Sequence, residues 1–229
     1  MITRIARTAG FSGLLAALLL TLLQSFWVAP LILQAETYET AAPAVEQHEH
    51  GEAAAPHEHS AEAWAPEDGW QRILSTTGGN LVVAVGFALI LAALYSLRAP
   101  GRVATGALWG LAGFAVFCLA PTLGLPPELP GTAAADLGQR QTWWIGTAAA
   151  TAAGLALLVF AQHWLFKVLG VALLVIPHLI GAPQPAVHES LAPEALETQF
   201  KIASWLTNAA FWLALGLLSA WLFRRSSQH

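Results

Sequence analysis

The chain has 229 residues, of which 56% are hydrophobic and 10% charged, whereas a soluble globular chain carries about 25% charged residues. So few charges cannot clothe a soluble domain of this length, which excludes an ordinary cytosolic enzyme. A net charge of −4 without a Lys/Arg-rich stretch excludes a basic nucleic-acid binder, and the single cysteine, Cys118, excludes a disulfide framework and any Cys-x-x-Cys motif.

Apolar stretches of membrane-crossing length are expected at residues 10–33, 79–97, 103–125, 142–162, 164–181 and 202–223. Each suffices to cross a ~30 Å hydrocarbon core as a helix rising ~1.5 Å per residue. The predicted fold class is therefore an all-α integral membrane protein with six transmembrane helices. Its parts are an N-terminal helix (1–33), an external acidic, His-rich loop (34–78) and a five-helix transmembrane region (79–229). A signal peptide is the rival reading of the first segment, since Arg4 and Arg7 precede it and Leu33-Gln34-Ala35 resembles a weak cleavage site. The run from Phe11 to Leu33 is, however, longer than a signal core of about 7–15 residues, and Trp27 suits an interfacial anchor.

The fourth and fifth stretches are separated only by Gln162, His163 and Trp164, with Lys167 close by, so five spans remain open if they merge. Charge favours six. Arg4, Arg7, Arg98, Arg102, Lys167, Arg224 and Arg225 then share one side, and Arg72, Arg140 and Lys201 the other. The positive-inside rule assigns the first side to the cytoplasm, with both termini. All 14 carboxylates then fall outside, in the segments Glu36 to Asp68, Glu128 to Asp136 and Glu189 to Glu197.

The starts of the second, fourth and sixth spans share an acid four residues before a base: Asp68 and Arg72, Asp136 and Arg140, Glu197 and Lys201. On a helix start this is the favourable i,i+4 orientation. The first, third and fifth spans carry a proline near the outer end, Pro30, Pro121 and Pro177, each leaving a helix carbonyl without its usual donor. These marks suggest three tandem helical hairpins opening to the outside, as internal repeats build many transporters.

The first loop is rich in Ala, Glu, Pro and His, and offers almost nothing to bury between Thr40 and Ala63. It contains a twice-written His-Glu-His, with His48, His50, His57 and His59 as candidate metal ligands. Imidazole suits Zn, Cu, Fe and Ni, and interleaved carboxylates add oxygen donors. A flexible arm that must order itself to bind gives modest affinity and easy release. Coordination needs neutral imidazole, so capture weakens below about pH 6.5.

The chain has no P-loop and no carboxylate inside a span, so nucleotide hydrolysis and a carboxylate proton relay are not expected of it. Inward movement of a divalent cation can be driven by the membrane potential, about 4.6 kcal/mol for two charges at 100 mV. His178, beside Pro177, and Glu128, between prolines at the mouth of the third span, are candidate pathway ligands. Asn80, Thr142, Thr147 and Asn208 are polar without a distinguishing pattern. The only Met is the initiator, which disfavours a copper(I) carrier and leaves Co, Ni or Zn open.

The His-Glu-His loop, Trp64-Ala-Pro-Glu-Asp-Gly-Trp70, Pro121-Thr-Leu-Gly-Leu-Pro-Pro-Glu-Leu-Pro130, Arg140-Gln-Thr-Trp-Trp144 and Pro177-His-Leu-Ile-Gly-Ala-Pro183 together resemble the CbtA family of proposed cobalt transporter subunits. The resemblance covers nearly the whole chain. It implies a bacterial inner-membrane protein, not an enzyme, that works with a small single-span, His-bearing subunit, CbtB, in cobalt supply for cobalamin synthesis. The family is often described with five spans, one fewer than the charge pattern favours.

The expected function is thus an inner-membrane subunit for uptake of a divalent transition metal, cobalt preferred, with the external loop capturing the ion. No permanently bound cofactor is expected, and homo-oligomerisation is left open. The alternative is a membrane-anchored metal receptor that delivers ions to a separate channel. A haem enzyme ligated by His163 and His178 is disfavoured, because the two fall near opposite faces of the membrane.

Overall fold

The computed structural model describes residues 1–41, 66 and 69–226. It is helical throughout these residues apart from the connections and one isolated bridge between Thr132 and Ser190. Helix α1 runs through Ile2–Leu23, a π-helical turn at Gln24–Val28, and Ala29–Ala41. Helix α2 is Trp70–Leu97, and α3 is Val103–Phe114, a π-helical turn at Ala115–Leu119, and Ala120–Gly124. Helices α4, α5 and α6 are Leu137–Phe160, Trp164–Ile180 and Glu194–Arg225.

Five of these helices are long and apolar enough to cross a membrane, and the 17-residue α5 is shorter. At ~1.5 Å per residue, α5 reaches about 26 Å, close to the lower limit for a span. The expected fifth of six spans is therefore an apolar helix of 17 residues, against 24 and 32 in its neighbours, and the helices of membrane-crossing length number five among the described residues. Both flanks of the expected 34–78 loop are also helical, since α1 continues to Ala41 and α2 begins at Trp70. Ala35, in the cleavage-like tripeptide, is 0% exposed and packs with Leu196 and Phe200 of α6.

The helices alternate in direction. One end of the bundle, here the terminal end, gathers the two chain ends and the 98–102 and 161–163 connections, while the loop end gathers the rest. At the terminal end Arg4 donates from Nε to the Phe223 carbonyl at 3.1 Å, Arg98 lies over the Phe160 ring, and Arg224 donates to the Pro100 carbonyl at 2.9 Å. Arg4 thereby satisfies a carbonyl that the end of α6 leaves without an intrahelical donor, and Arg224 ties α6 to the 98–102 connection.

The three expected hairpins do not describe the packing. Helices α1 and α2 do pair along their length, but α3 packs mainly on α6, and α4 on α5. The cause lies in small residues. Gly106 and Gly110 of α3 face Gly216 and Ala220 of α6 so closely that a Cβ on either glycine would strike α6 backbone. A Cβ on Gly154 of α4 would lie 2.8 Å from the Gly170 carbonyl of α5, and one on Gly170 would lie 2.9 Å from that of Gly154. In lipid, where apolar side chains gain little by meeting each other, such close backbone approach selects the partner.

Prolines explain the two π turns. Pro30 and Pro121 lack the N–H that the Phe26 and Phe117 carbonyls would otherwise receive. In both cases the turn ends with Ala donating five residues back, Ala29 to Gln24 and Ala120 to Ala115. Both turns fall in a Phe-x-x-Ala-Pro sequence, Phe26 to Pro30 and Phe117 to Pro121. Pro177 in α5 produces no such turn.

Gly110→Ala and Gly216→Ala are each expected to lower the thermal midpoint in detergent by several degrees, through about 1–3 kcal/mol of overpacking. Gly146→Ala, whose new Cβ meets nothing within 4 Å, should leave it unchanged or raise it. Equal midpoints for all three would remove the close approach as the determinant of helix pairing.

Candidate cation-handling site

Charge is sorted by end. The Lys and Arg residues expected on one side, Arg4, Arg7, Arg98, Arg102, Lys167, Arg224 and Arg225, occupy the terminal end or the adjoining turn of a helix. Every described carboxylate lies at the loop end, with Arg72, Arg140 and Lys201.

These three bases find carboxylates, Lys201 in the expected way and Arg140 in another. Lys201 pairs with Glu197 at 3.3 Å, one turn back on α6. Arg140 instead reaches Glu128 at 2.8 Å, while the Asp136 carboxylate caps α4 by accepting the Gln139 N–H at 2.9 Å. An Asp at that position satisfies a helix-start donor, which leaves the arginine to another partner. Arg72 reaches Glu36 at 3.0 Å, joining α1 to α2; Asp68 lies outside the described residues.

Glu128 therefore sits at the loop end as half of a partly exposed ion pair. His178, one turn from the end of α5, is half-buried and meets the Trp143 ring edge-on at 6.1 Å between centroids. The Trp143 indole Nε1 and the Gly181 N–H both donate to the Pro177 carbonyl, at 3.3 and 3.1 Å. That carbonyl is thus occupied, and the one released by Pro177 is that of Leu173. An open groove of about 660 Å³ lies alongside, lined by Asp136, Gln139, Thr142, Trp143 and Pro183 among others. His188, which the sequence did not single out, lies at this end 3.4 Å from Gln184, whose amide Nε2 donates to the Gly124 carbonyl.

His48, His50, His57 and His59 lie outside the described residues. Among the described residues no three His, Cys, Asp or Glu side chains converge as a metal site. His163 caps the start of α5 and His178 lies near its end, about 22 Å away along the axis. One haem cannot bridge them.

The feature that sequence reasoning passed over lies inside the bundle. The apolar core is two clusters, not one. Toward the terminal end Ala16 and Leu20 of α1 pack with Phe211 and Leu215 of α6, and toward the loop end Val28 and Ala35 pack with Leu196, Phe200 and Ala203. Between Leu20 and Val28 stands Gln24, in the π turn. Between Phe211 and Ala203, on the same buried stripe of α6, stands Thr207. Asn80 of α2 donates its amide to Gln24 Oε1 at 2.7 Å and to Thr21 Oγ1 at 3.1 Å. Thr207 is 1% exposed and its hydroxyl has no hydrogen-bond partner. On the adjoining side of α6, Asn208 accepts a long contact of 3.7 Å from the Cys118 thiol in the second π turn.

The helices and the sorting of charge define a multi-pass helical membrane protein. The family model for "probable cobalt transporter subunit (CbtA)" matches residues 2–224. The chain belongs to the CbtA family, and the description as a subunit implies a partner. Neither a curated protein nor a solved structure matches it.

Glu128→Gln is expected to change thermal stability in detergent by no more than about 1 kcal/mol, because the Arg140 pair is a quarter exposed on each side. A larger loss would make the pair a structural lock that joins the 125–136 connection to α4.

Proposed function

We propose that the chain is the inner-membrane permease subunit of a divalent transition-metal uptake system, with cobalt the preferred substrate and nickel or zinc alternatives. The observation that carries this reading is the family match along residues 2–224. In this reading all six helices cross the membrane, both termini are cytoplasmic, and the loop end faces outward. The excess of Lys and Arg at the terminal end supports that orientation.

The segment bearing His48, His50, His57 and His59 then collects ions at the outer surface, and Glu128 and His178 lie beside the approach to the bundle. A loop held at both ends near Glu36 and Arg72 concentrates captured ions at this mouth. No carboxylate relay is needed, because about 4.6 kcal/mol of driving force is available to a divalent ion at 100 mV, inside negative. A small single-span subunit, CbtB by resemblance, is the partner in this reading.

A second reading has one observation in its favour, the lack of a three-ligand cluster among the described residues. A membrane-anchored receptor that captures ions and hands them to a separate channel needs no such cluster.

Cells expressing the intact chain are expected to accumulate cobalt at limiting supply several times faster than cells expressing a variant without residues 46–60. The difference should shrink at saturating cobalt. Capture should also be weaker at pH 5.5 than at pH 7.5, because protonated imidazole cannot ligate. Equal uptake at limiting cobalt, with equal protein in the membrane, would refute the capture role.

A further inference from the structure

We propose that the polar layer formed by Gln24, Thr21, Asn80 and Thr207 is a transit site for a divalent cation, inside the bundle and between its two apolar clusters. The inference rests on the transport reading and adds to it a place where the ion sheds part of its water.

Three observations converge on this layer. The first is a polar step on two ridges: Gln24 stands between Leu20 and Val28 of α1, and Thr207 between Ala203 and Phe211 of α6, the four flanking residues being buried and apolar, while further buried polar residues, Ser12, Ser204 and Ser219, lie elsewhere on the same helices. The helices keep a common register through it, because Ser219 donates to Ser12 at 3.0 Å nearer the terminal end, and Ala203 packs with Val28 nearer the loop end. Twelve residues separate Ser12 from Gln24, and twelve separate Ser219 from Thr207, which sets the latter pair level.

The second is the Thr207 hydroxyl. Buried threonines on helices commonly donate back to the carbonyl four residues earlier, as Thr151 does to Thr147 at 2.7 Å. The Thr207 hydroxyl has no partner although it is 1% exposed; the Thr8 and Thr147 hydroxyls share this elsewhere in the bundle, and Thr207 is the one set level with Gln24. A buried hydroxyl without a partner is costly unless something else meets it.

The third is the π turn itself. It places Gln24 where Asn80 can hold its side-chain carbonyl, and Pro30 withholds an N–H from the Phe26 carbonyl. Single π turns inside α-helices are often functional.

The donors are amide, hydroxyl and backbone oxygens, all neutral. A neutral site cannot hold a divalent ion tightly in place of its water, and that weakness suits transit, which requires an ion to leave as readily as it arrives. Asn80 supports the site by fixing Gln24 Oε1 with one amide proton, so the glutamine carbonyl is positioned before an ion arrives. With no carboxylate at this level, ions pass without a proton changing hands.

The test is cobalt uptake by the full-length chain in proteoliposomes held inside-negative, comparing wild type with Thr207→Val, Thr207→Ser and Gln24→Glu. Thermal midpoints in detergent confirm that each variant is folded. Thr207→Val is expected to lower the maximal rate about tenfold, equivalent to about 1.4 kcal/mol, and Thr207→Ser to restore it to within about twofold. Gln24→Glu adds a charge to the ligand set. It should lower the half-saturating cobalt concentration while slowing maximal uptake, a paired change that loss of packing does not produce. Wild-type rate and half-saturation in both Thr207→Val and Gln24→Glu, with wild-type flux intact, would overturn the site and leave the transport reading standing. Should Thr207→Val fail to fold, Gln24→Glu and Thr207→Ser decide the matter. Cobalt binding by wild type without any flux would overturn the transport reading and the transit site with it.

Discussion

The close approach of α3 to α6 at Gly106, Gly110 and Gly216 is the contact on which the rest of the bundle depends. Helix α6 is also packed by α1 and α2, so the seam fixes the position of the one helix that most others use as a wall. Gly216 serves twice, since its missing side chain admits α3 while its carbonyl accepts the Tyr95 hydroxyl of α2 at 3.3 Å. Around the seam the Trp212 ring stacks on Phe117 and meets Phe87 at 4.6 Å, so aromatic area fills the space beside the glycines. Such packing is what remains to a membrane protein once the hydrophobic effect has been spent on insertion.

The second constraint is electrostatic. Moving a charge to the middle of a bilayer is costly, and this chain keeps its charges at the two ends. Polar groups within the bundle are neutral, and most are bound to one another or to backbone: Ser219 to Ser12, Asn80 to Gln24 and Thr21, Asn208 to Ser204. The exceptions among the described residues are Thr8, Thr147, Trp205 and Thr207, each with a buried polar atom that has no partner. Among the described residues the interior is neutral, which is what the proposed potential-driven passage of a cation requires.

Much of the architecture was legible in the sequence because hydropathy and charge act over whole segments. The start of α3 and the end of α2 follow from Arg98 and Arg102, and the division of 142–181 into two helices from the count that keeps Arg224 and Arg225 on the side of the other arginines. The helix partners were not legible. Gly106 and Gly110 have the G-x-x-x-G spacing that marks close helix approach, but the spacing does not name the partner helix, and Gly10 and Gly146 meet open space. Of the acid and base pairs at helix starts, Glu197 and Lys201 pair as read, and Asp136 and Arg140 do not. Asp136 is four residues from Arg140, but it is better placed to cap α4, and Glu128 comes to Arg140 only through the fold. The proline marks were read as backbone perturbations, and π turns accompany Pro30 and Pro121 but not Pro177. Thr207 and Gln24 are ordinary polar residues until α1 and α6 are set in register.

The central claim is that this chain carries a divalent cation through its own bundle, driven by the membrane potential. Cobalt uptake into proteoliposomes containing only this chain, measured against an imposed potential, tests it most directly. Uptake should rise as the interior is made more negative and collapse when the potential is dissipated. Stable cobalt binding at the vesicle surface with no potential-dependent accumulation would contradict the claim and leave a receptor in its place.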